Sequence, residues 1–433
     1  MEPPLRRDLR HCGPARRLLL VSNGYFHSLV APLRVPIFRF LWIATVASNI
    51  GTLMHGVGAA WLMTSMTTSP FLVGLVPACI FLPTFFAGIW GGVLSDLVER
   101  RRILIVTQSG MMACAVAIGI CAVLGAMSPG LLLGLTFCLG FFSAMNLPAW
   151  QSQIQEMVPA DHVAAAVSLN SISFNAARSV GPAIGGLLVA AVGPASVFFI
   201  NAASFLGTIL VLLGWKRPPP PAKGKAVWKS LREGFSFVRH SRVMRAPLVR
   251  VSAFAFSASA VWAVLPLLAR EELKIGPAGY GTLLSAFGAG SVAIAGFVPG
   301  LRRRHHPDRL IAPAIVLLSG VLVCLAVSHS YPLVLAALFA GGMAWVGVLV
   351  QFNVAVQLSA PEEIRGRALS FYLVFFQGSM GIGSAFHGWI ATHLGIPAAL
   401  VIAGLSLLAG IPLGFRLPLG KDGETAAAAI PVE

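Results

Sequence analysis

The sequence predicts an all-α integral membrane protein in which twelve transmembrane helices form two pseudo-symmetric bundles of six. Three observations lead there. Of 433 residues, 57% are hydrophobic and only 11% are charged, whereas a soluble domain carries about 25% charged residues. The apolar residues are gathered into twelve runs, each close to the ~20 residues that a helix needs to cross a bilayer. The second half of the chain also repeats the pattern of the first. Short loops and two tails use what the spans leave, so there is no room for a separate soluble catalytic domain.

Charge placement sets the topology. A formal charge of +16 could suit a nucleic-acid binder, but all except three of the 31 Lys and Arg fall in segments that share one side of the membrane. The exceptions are Arg178, inside a span, and Arg270 and Lys274, on the opposite side. This is the positive-inside pattern. It predicts a cytoplasmic membrane protein with both termini in the cytoplasm and argues against nucleic acid as a partner. The partners expected are the lipid bilayer and a small molecule, with the chain acting as a monomer. Of the six cysteines only Cys12 lies outside the apolar runs. The other five are read as small packing residues. Neither a disulfide framework nor metal-ligand spacing occurs, and no phosphate-binding loop occurs either. No metal or cofactor is expected.

In chain order, residues 1–35 form a basic tail, with Arg6–Arg7 and Arg16–Arg17 pairs. The apolar stretch Leu18–Val21 is too short for a signal peptide, so a disordered cytoplasmic tail is expected. The first bundle is assigned to 36–215, with spans near 38–63, 71–93, 103–127, 130–151, 165–192 and 196–215. The composition then breaks at KRPPPPAKGK, where Pro218 to Pro221 remove four successive backbone donors. Trp228, Leu231, Phe235 and Val238 follow at helical spacing between basic residues, as in a helix lying on a membrane surface. This linker is assigned to 216–250. The second bundle, 251–416, has spans near 251–268, 280–299, 310–327, 332–358, 368–394 and 398–415. A tail covers 417–433. Laid on the first half without gaps, the second half puts Gly342 on Gly140, Gln357 on Gln155, Gly383 on Gly181, Gly388 on Gly186 and Gly395 on Gly193. Parallel halves of this kind place a substrate path between them.

Two stretches carry specific chemistry. In GGVLSDLVERRRIL (Gly91–Leu104), glycines close an apolar run, Asp96 follows, and Arg100, Arg101 and Arg102 stand together. It reads as a tight turn on the cytoplasmic side. In ARSVGPAIGG (Ala177–Gly186), Ala177, Gly181 and Gly185 recur every four residues, a smooth face that lets another helix approach closely. Pro182 removes a backbone donor there and can bend the helix.

Arg178 is the most informative single residue. It lies about 15–20 Å into span 5 at ~1.5 Å per residue, where a charge costs several kcal/mol unless it meets water or a partner. All fifteen acidic residues fall in tails, loops or span ends. Either Arg178 is a cationic cavity residue that favours anionic or neutral cargo, or it pins span 5 through carbonyls and amides such as Asn175. Asn49, His55, Asn146, Gln151, Asn175 and Gln377 are the polar candidates for a substrate cavity, and Trp262 is an aromatic one. Each can equally serve as contact between helices.

These stretches resemble one family. The Gly91–Leu104 turn is similar to the Gly-x-Leu-Ala-Asp-Arg-x-Gly-Arg-Arg/Lys signature of the major facilitator superfamily. Gly92, Leu94, Asp96, Arg100 and Arg101 match it, while Ser95, Leu97 and Glu99 depart from it. Gly181, Pro182, Gly185 and Gly186 match the Gly-Pro-x-x-Gly-Gly motif of its antiporters. With FRFLW, NLPAWQ and PEEIRGRALSFY, the set resembles the transmembrane secretion effector branch, which includes the enterobactin exporter. The resemblance implies a secondary exporter in the bacterial inner membrane, working by alternating access, whose cargo is a siderophore, drug or metabolite. It implies proton antiport, although no carboxylate lies within a span. It implies packing of the span 5 motif near span 8, with Gly181, Pro182, Gly185 and Gly186 as the hinge. It also implies a cytoplasmic gate in which Gly92, Asp96, Arg100 and Arg101 meet Arg365 and Arg367 before span 11. The alternative is that both loops are basic anchors. An importer or a transporter-like sensor is the competing function. A membrane enzyme would need clustered catalytic groups, and none are visible.

Overall fold

The computed structural model describes residues 29–215, 241–361 and 365–420, with the side chains of 88–97, 152, 154, 155, 242 and 367 excepted. The expected surface helix of the linker lies outside the described residues. So does most of the basic N-terminal tail.

Among the described residues, twelve helices are long and apolar enough to cross a membrane. Many begin on proline, whose missing N–H is harmless in a first turn and whose φ suits a helix. Pro36 opens span 1 (Pro36–Met66), Pro70 span 2 (Pro70–Leu97) and Pro129 span 4 (Pro129–Met157). Pro277 opens span 8 (Pro277–Ala295) and Pro307 opens span 9 (Pro307–Val327). Span 3 covers Arg100–Val123 and span 10 Tyr331–Ser359. Span 6 covers Ala195–Gly214, and span 12 is Ile396–Ala409 continued by Ile411–Arg416.

Span 7 departs from its expected form. It starts at Arg242, inside the segment read as linker, and its helix breaks at Ser259 between Arg242–Ala258 and Ala260–Leu267. It ends in a wider turn, Leu268–Glu272. Pro247 and Pro266 interrupt its hydrogen-bond ladder.

The internal repeat holds at the level of contacts. Span 5 (Val163–Val192) and span 11 (Arg365–Leu394) both end on a glycine with positive φ, Gly193 at 96° and Gly395 at 87°. Glycine takes that conformation without steric cost. A methyl group added at Gly140 would meet span 2, 2.7 Å from the Cys79 carbonyl oxygen. One added at the repeat-related Gly342 would strike the Phe287 carbonyl of span 8. Gly181 faces Ile50 and Leu53 of span 1, and Gly383 faces Phe256 of span 7. Gly186 abuts Pro277 and Gly281 of span 8, and Gly388 abuts Pro70 and Gly74 of span 2. The first two pairs make the same helix crossing within each half, and the third makes the same crossing between the halves. The chain thus has the two six-helix bundles of the major facilitator fold.

The bundles meet along two seams, span 2 with span 11 and span 5 with span 8. The second bundle has an aromatic centre. The Trp262 ring lies 4.5 Å from Trp345 and 5.3 Å from Phe287, and Phe254 lies 5.3 Å from Trp345.

Candidate substrate cavity and gates

Pro182 organises the span 5 seam. It has no N–H to give to the carbonyl of Arg178 one turn back. That carbonyl is the atom that a methyl group at Gly288 of span 8 would strike. Nearby, Ala183 N–H donates to the Ser285 hydroxyl at 2.9 Å. On the other seam the Thr84 hydroxyl donates to Gln377 Oε1 at 2.9 Å, and Phe71 N–H to the Thr392 hydroxyl at 3.0 Å.

These contacts run from mid-membrane to the end opposite the arginine-rich loops. At that far end, Arg270 donates from Nη1 to the Thr64 hydroxyl at 3.4 Å, and its guanidinium lies 5.9 Å from the Trp61 ring. Trp61 in turn stacks on Tyr280 at 6.2 Å. Residues of spans 1, 7 and 8 therefore close the two bundles together there.

On the arginine-rich side of these contacts lies a cavity of about 470 Å³. Every described residue that lines it belongs to the first bundle, and none is charged. Asn49, Asn146, Asn170 and Asn175 supply amides, with Gln108 beside them. Trp150, Phe174 and Phe205 supply aromatic surface. Asn49 Nδ2 donates to the Ser173 hydroxyl at 3.3 Å, and Asn146 Nδ2 to the Thr107 hydroxyl at 2.7 Å. Asn175 Nδ2 donates back to the Ser171 carbonyl at 2.8 Å. Gln108 Oε1 is buried with no hydrogen-bond partner among the described residues.

The structure thus brings together Asn49, Asn146 and Asn175 of the sequence-derived candidates. Arg178 stands one turn beyond Phe174, half-buried, its guanidinium 6.0 Å from that ring. It makes no ion pair or hydrogen bond among the described residues. The other candidates lie elsewhere. His55 is buried edge-on to Phe198 of span 6 at 4.8 Å, with neither ring nitrogen partnered among the described residues. Gln377 bonds across the span 2–11 seam. Trp262 belongs to the aromatic centre of the second bundle, and Gln151 is exposed outside the lining. Sequence reading passed over the hydroxyls Thr45, Ser48 and Thr52 and the amide Gln108. The first three recur every three or four residues on span 1, a polar stripe at helical period that could have been found.

Described contacts tie Arg100, Arg101 and Arg365 to their own halves. Arg100 pairs with Glu156 at the end of span 4. Arg101 donates to the Leu212 and Leu213 carbonyls at 2.7 and 2.8 Å, at the C-terminus of span 6, where a cation is favoured. Arg365 Nε donates to the Gln357 carbonyl of span 10 at 3.2 Å. Gly92 lies in the last turns of span 2. The side chains of Asp96 and Arg367 lie outside the described residues.

The profile of the family described as "Transmembrane secretion effector" matches residues 27–431. The chain belongs to that family of major facilitator transporters. It is 26% identical over 405 residues to the uncharacterized MFS-type transporter YfiS of Bacillus subtilis (strain 168), covering 89% of this chain and 95% of that one. It is 27% identical over 385 residues to the enterobactin exporter EntS of Escherichia coli O1:K1 / APEC, covering 86% and 89%. Among solved structures, the nucleoside transporter NupG superposes with a TM-score of 0.70 at 12% identity, covering 89% and 100% of the chains. A bacterial homolog of the human lysosomal transporter Spinster, in an inward-facing and unoccupied conformation, gives 0.65 at 14% identity, covering 89% and 95%. At these identities the two structures speak to the fold alone. The protein is a membrane transporter of the secretion effector family and not an enzyme.

Proposed function

We propose that this transporter exports a small, uncharged or anionic molecule across the bacterial inner membrane by alternating access, in exchange for protons. The supporting observation is geometric. The bundles are joined at the end opposite the arginine-rich loops, while the cavity lies on the arginine-rich side. With both termini and those loops in the cytoplasm, as the positive-inside pattern requires, the cavity loads from the cell interior.

The wall chemistry narrows the cargo. Amides, hydroxyls and three aromatic rings suit a molecule with apolar faces and several hydrogen-bonding groups. Among the described residues the lining offers no carboxylate for a cationic drug, and Arg178 at its edge favours negative charge. Asp96 with Arg100, Arg101, Arg365 and Arg367 would close the cytoplasmic side in the opposite state. The Gly181–Gly186 motif, seated on span 8, is the hinge about which the bundles rock. EntS is named as an exporter of enterobactin, and a siderophore-like cargo fits this wall.

Inside-out vesicles holding the purified chain, given candidate siderophores and metabolites with and without an imposed pH gradient, test this reading. Gradient-dependent accumulation inside the vesicles is expected. Uptake in the opposite sense would make the protein an importer.

A further inference from the structure

Between spans 8 and 9 the chain makes a short helix, Val298–Arg304, and a tight turn into Pro307. Residues 302–309 read RRRHHPDR, and they surround a concavity of about 620 Å³. Arg302 is occupied, because its Nη1 donates to Gln351 Oε1 of span 10 at 2.7 Å. Asp308, the one acid of the turn, is also occupied. It pairs with the buried Arg250 of span 7, and its Oδ2 accepts from Leu419 N–H at 3.1 Å. Arg303, Arg304 and Arg309 are exposed, and their side chains make no hydrogen bond or ion pair among the described residues. Three free guanidinium groups thus share a concave turn whose acid is already neutralised.

The flank of this turn is apolar. Phe297 and Leu301 are 67% and 40% exposed, one turn apart on the side of the helix that precedes the arginines. Exposed apolar side chains beside exposed cations are the signature of a segment at the boundary between acyl chains and headgroups. Guanidinium forks match phosphate oxygens in pairs.

We propose that the Arg302–Arg309 turn is a binding site for a phosphate-bearing anion, supplied by the headgroup of an acidic phospholipid. Phe297 and Leu301 rest against the acyl chains while Arg303, Arg304 and Arg309 hold the phosphate. Because Arg302 and Asp308 tie the same turn to spans 10 and 7, an occupied site braces the second bundle at the arginine-rich end.

The full-length protein in detergent is titrated with fluorescent phosphatidylglycerol, cardiolipin and phosphatidylcholine. The wild type is compared with Arg303→Gln/Arg304→Gln/Arg309→Gln, with the corresponding triple Lys variant, and with the charge-matched control Arg6→Gln/Arg7→Gln/Arg10→Gln. Acidic lipid should bind the Gln variant about 10- to 100-fold more weakly, the Lys variant between the Gln variant and wild type because it keeps the charge but not the fork, and the control within about threefold of wild type. Phosphatidylcholine should not discriminate among them. Pyrophosphate is added as a competitor. Failure to displace the lipid fits a headgroup held by both phosphate and chains, whereas full displacement makes a soluble phosphate the ligand of the same arginines. Equal lipid binding by wild type and the Gln variant, or an equal loss in the control, overturns the proposal. Monodispersity and thermal unfolding of each variant separate loss of the site from loss of the fold.

Discussion

The guanidinium of Arg270, in span 7, lies 5.9 Å from the indole of Trp61, in span 1. This contact joins the second bundle to the first at the end away from the arginine-rich loops, and Tyr280 extends it by stacking on the same indole. A cation over an indole contributes about 0.5–1 kcal/mol where it is exposed. In the proposed alternating-access cycle the contact would exist only while that end is shut, and so would act on the balance between the two states.

Arg270→Gln should therefore shift the population toward opening at that end by about two- to fivefold. Spin-label distances between the far ends of spans 1 and 7 would show a larger long-distance population. Trp61→Ala should act in the same direction. An unchanged distance distribution in both variants would remove this pair from the gate.

The glycines on the span 5–8 seam give a second expectation. A methyl group at Gly288 meets the Arg178 carbonyl, and one at Gly186 meets Pro277. Backbone cannot yield as a flexible side chain does, so the helices must part. Overpacking of this kind costs about 1–3 kcal/mol. Gly288→Ala and Gly186→Ala should lower the melting temperature and reduce transport severely. Gly134→Ala and Gly207→Ala, with nothing within 4 Å of the added carbon, should leave both intact.

Arg178 decides between cavity and scaffold. Arg178→Ala should abolish transport while leaving membrane insertion and the melting temperature near wild type, because the guanidinium makes no hydrogen bond or ion pair among the described residues. Unchanged transport by the variant would remove Arg178 from the mechanism. A large stability loss would instead assign it to packing.

For the cavity wall, Asn146→Leu and Asn49→Leu should raise the half-saturating substrate concentration about two- to tenfold, as expected for one lost hydrogen bond of ~0.5–1.5 kcal/mol. Asn146 also bonds Thr107, so its replacement should cost some stability as well. Flux measured against substrate concentration separates the two effects.

Arg250 and Asp308 are buried to different degrees, 6% and 24% exposed. Removing one partner strands the other charge. Asp308→Asn should destabilise the protein by about 3 kcal/mol, the low end of the range for buried pairs because Asp308 keeps some water. Thermal unfolding in detergent measures it.

The sequence by itself determined the class of protein, the number of spans, the internal repeat and the family. Those follow from summed quantities, since hydropathy over some twenty residues and the spacing of glycines average out local detail. Gly181, Gly186 and Gly193 could be paired with their second-half counterparts before any contact was known. Span 7 was less legible. Its start at Arg242 sits among basic residues that read as linker, and its break at Ser259 has no glycine or proline at the site to mark it.

Only the tertiary structure decided which polar residues share a space. His55, Gln377 and Asn146 are alike in sequence, each a lone polar group in an apolar helix. Helix rotation sends His55 against Phe198, Gln377 across a seam to Thr84, and Asn146 to the cavity wall. A periodicity argument gives the faces of one helix relative to each other. It does not say which neighbour a face meets, because that is fixed by close packing between segments far apart in the chain. The same holds for the end at which the bundles touch, which rests on contacts such as Arg270 with Trp61 and Phe71 with Thr392 and on no property of any one residue alone.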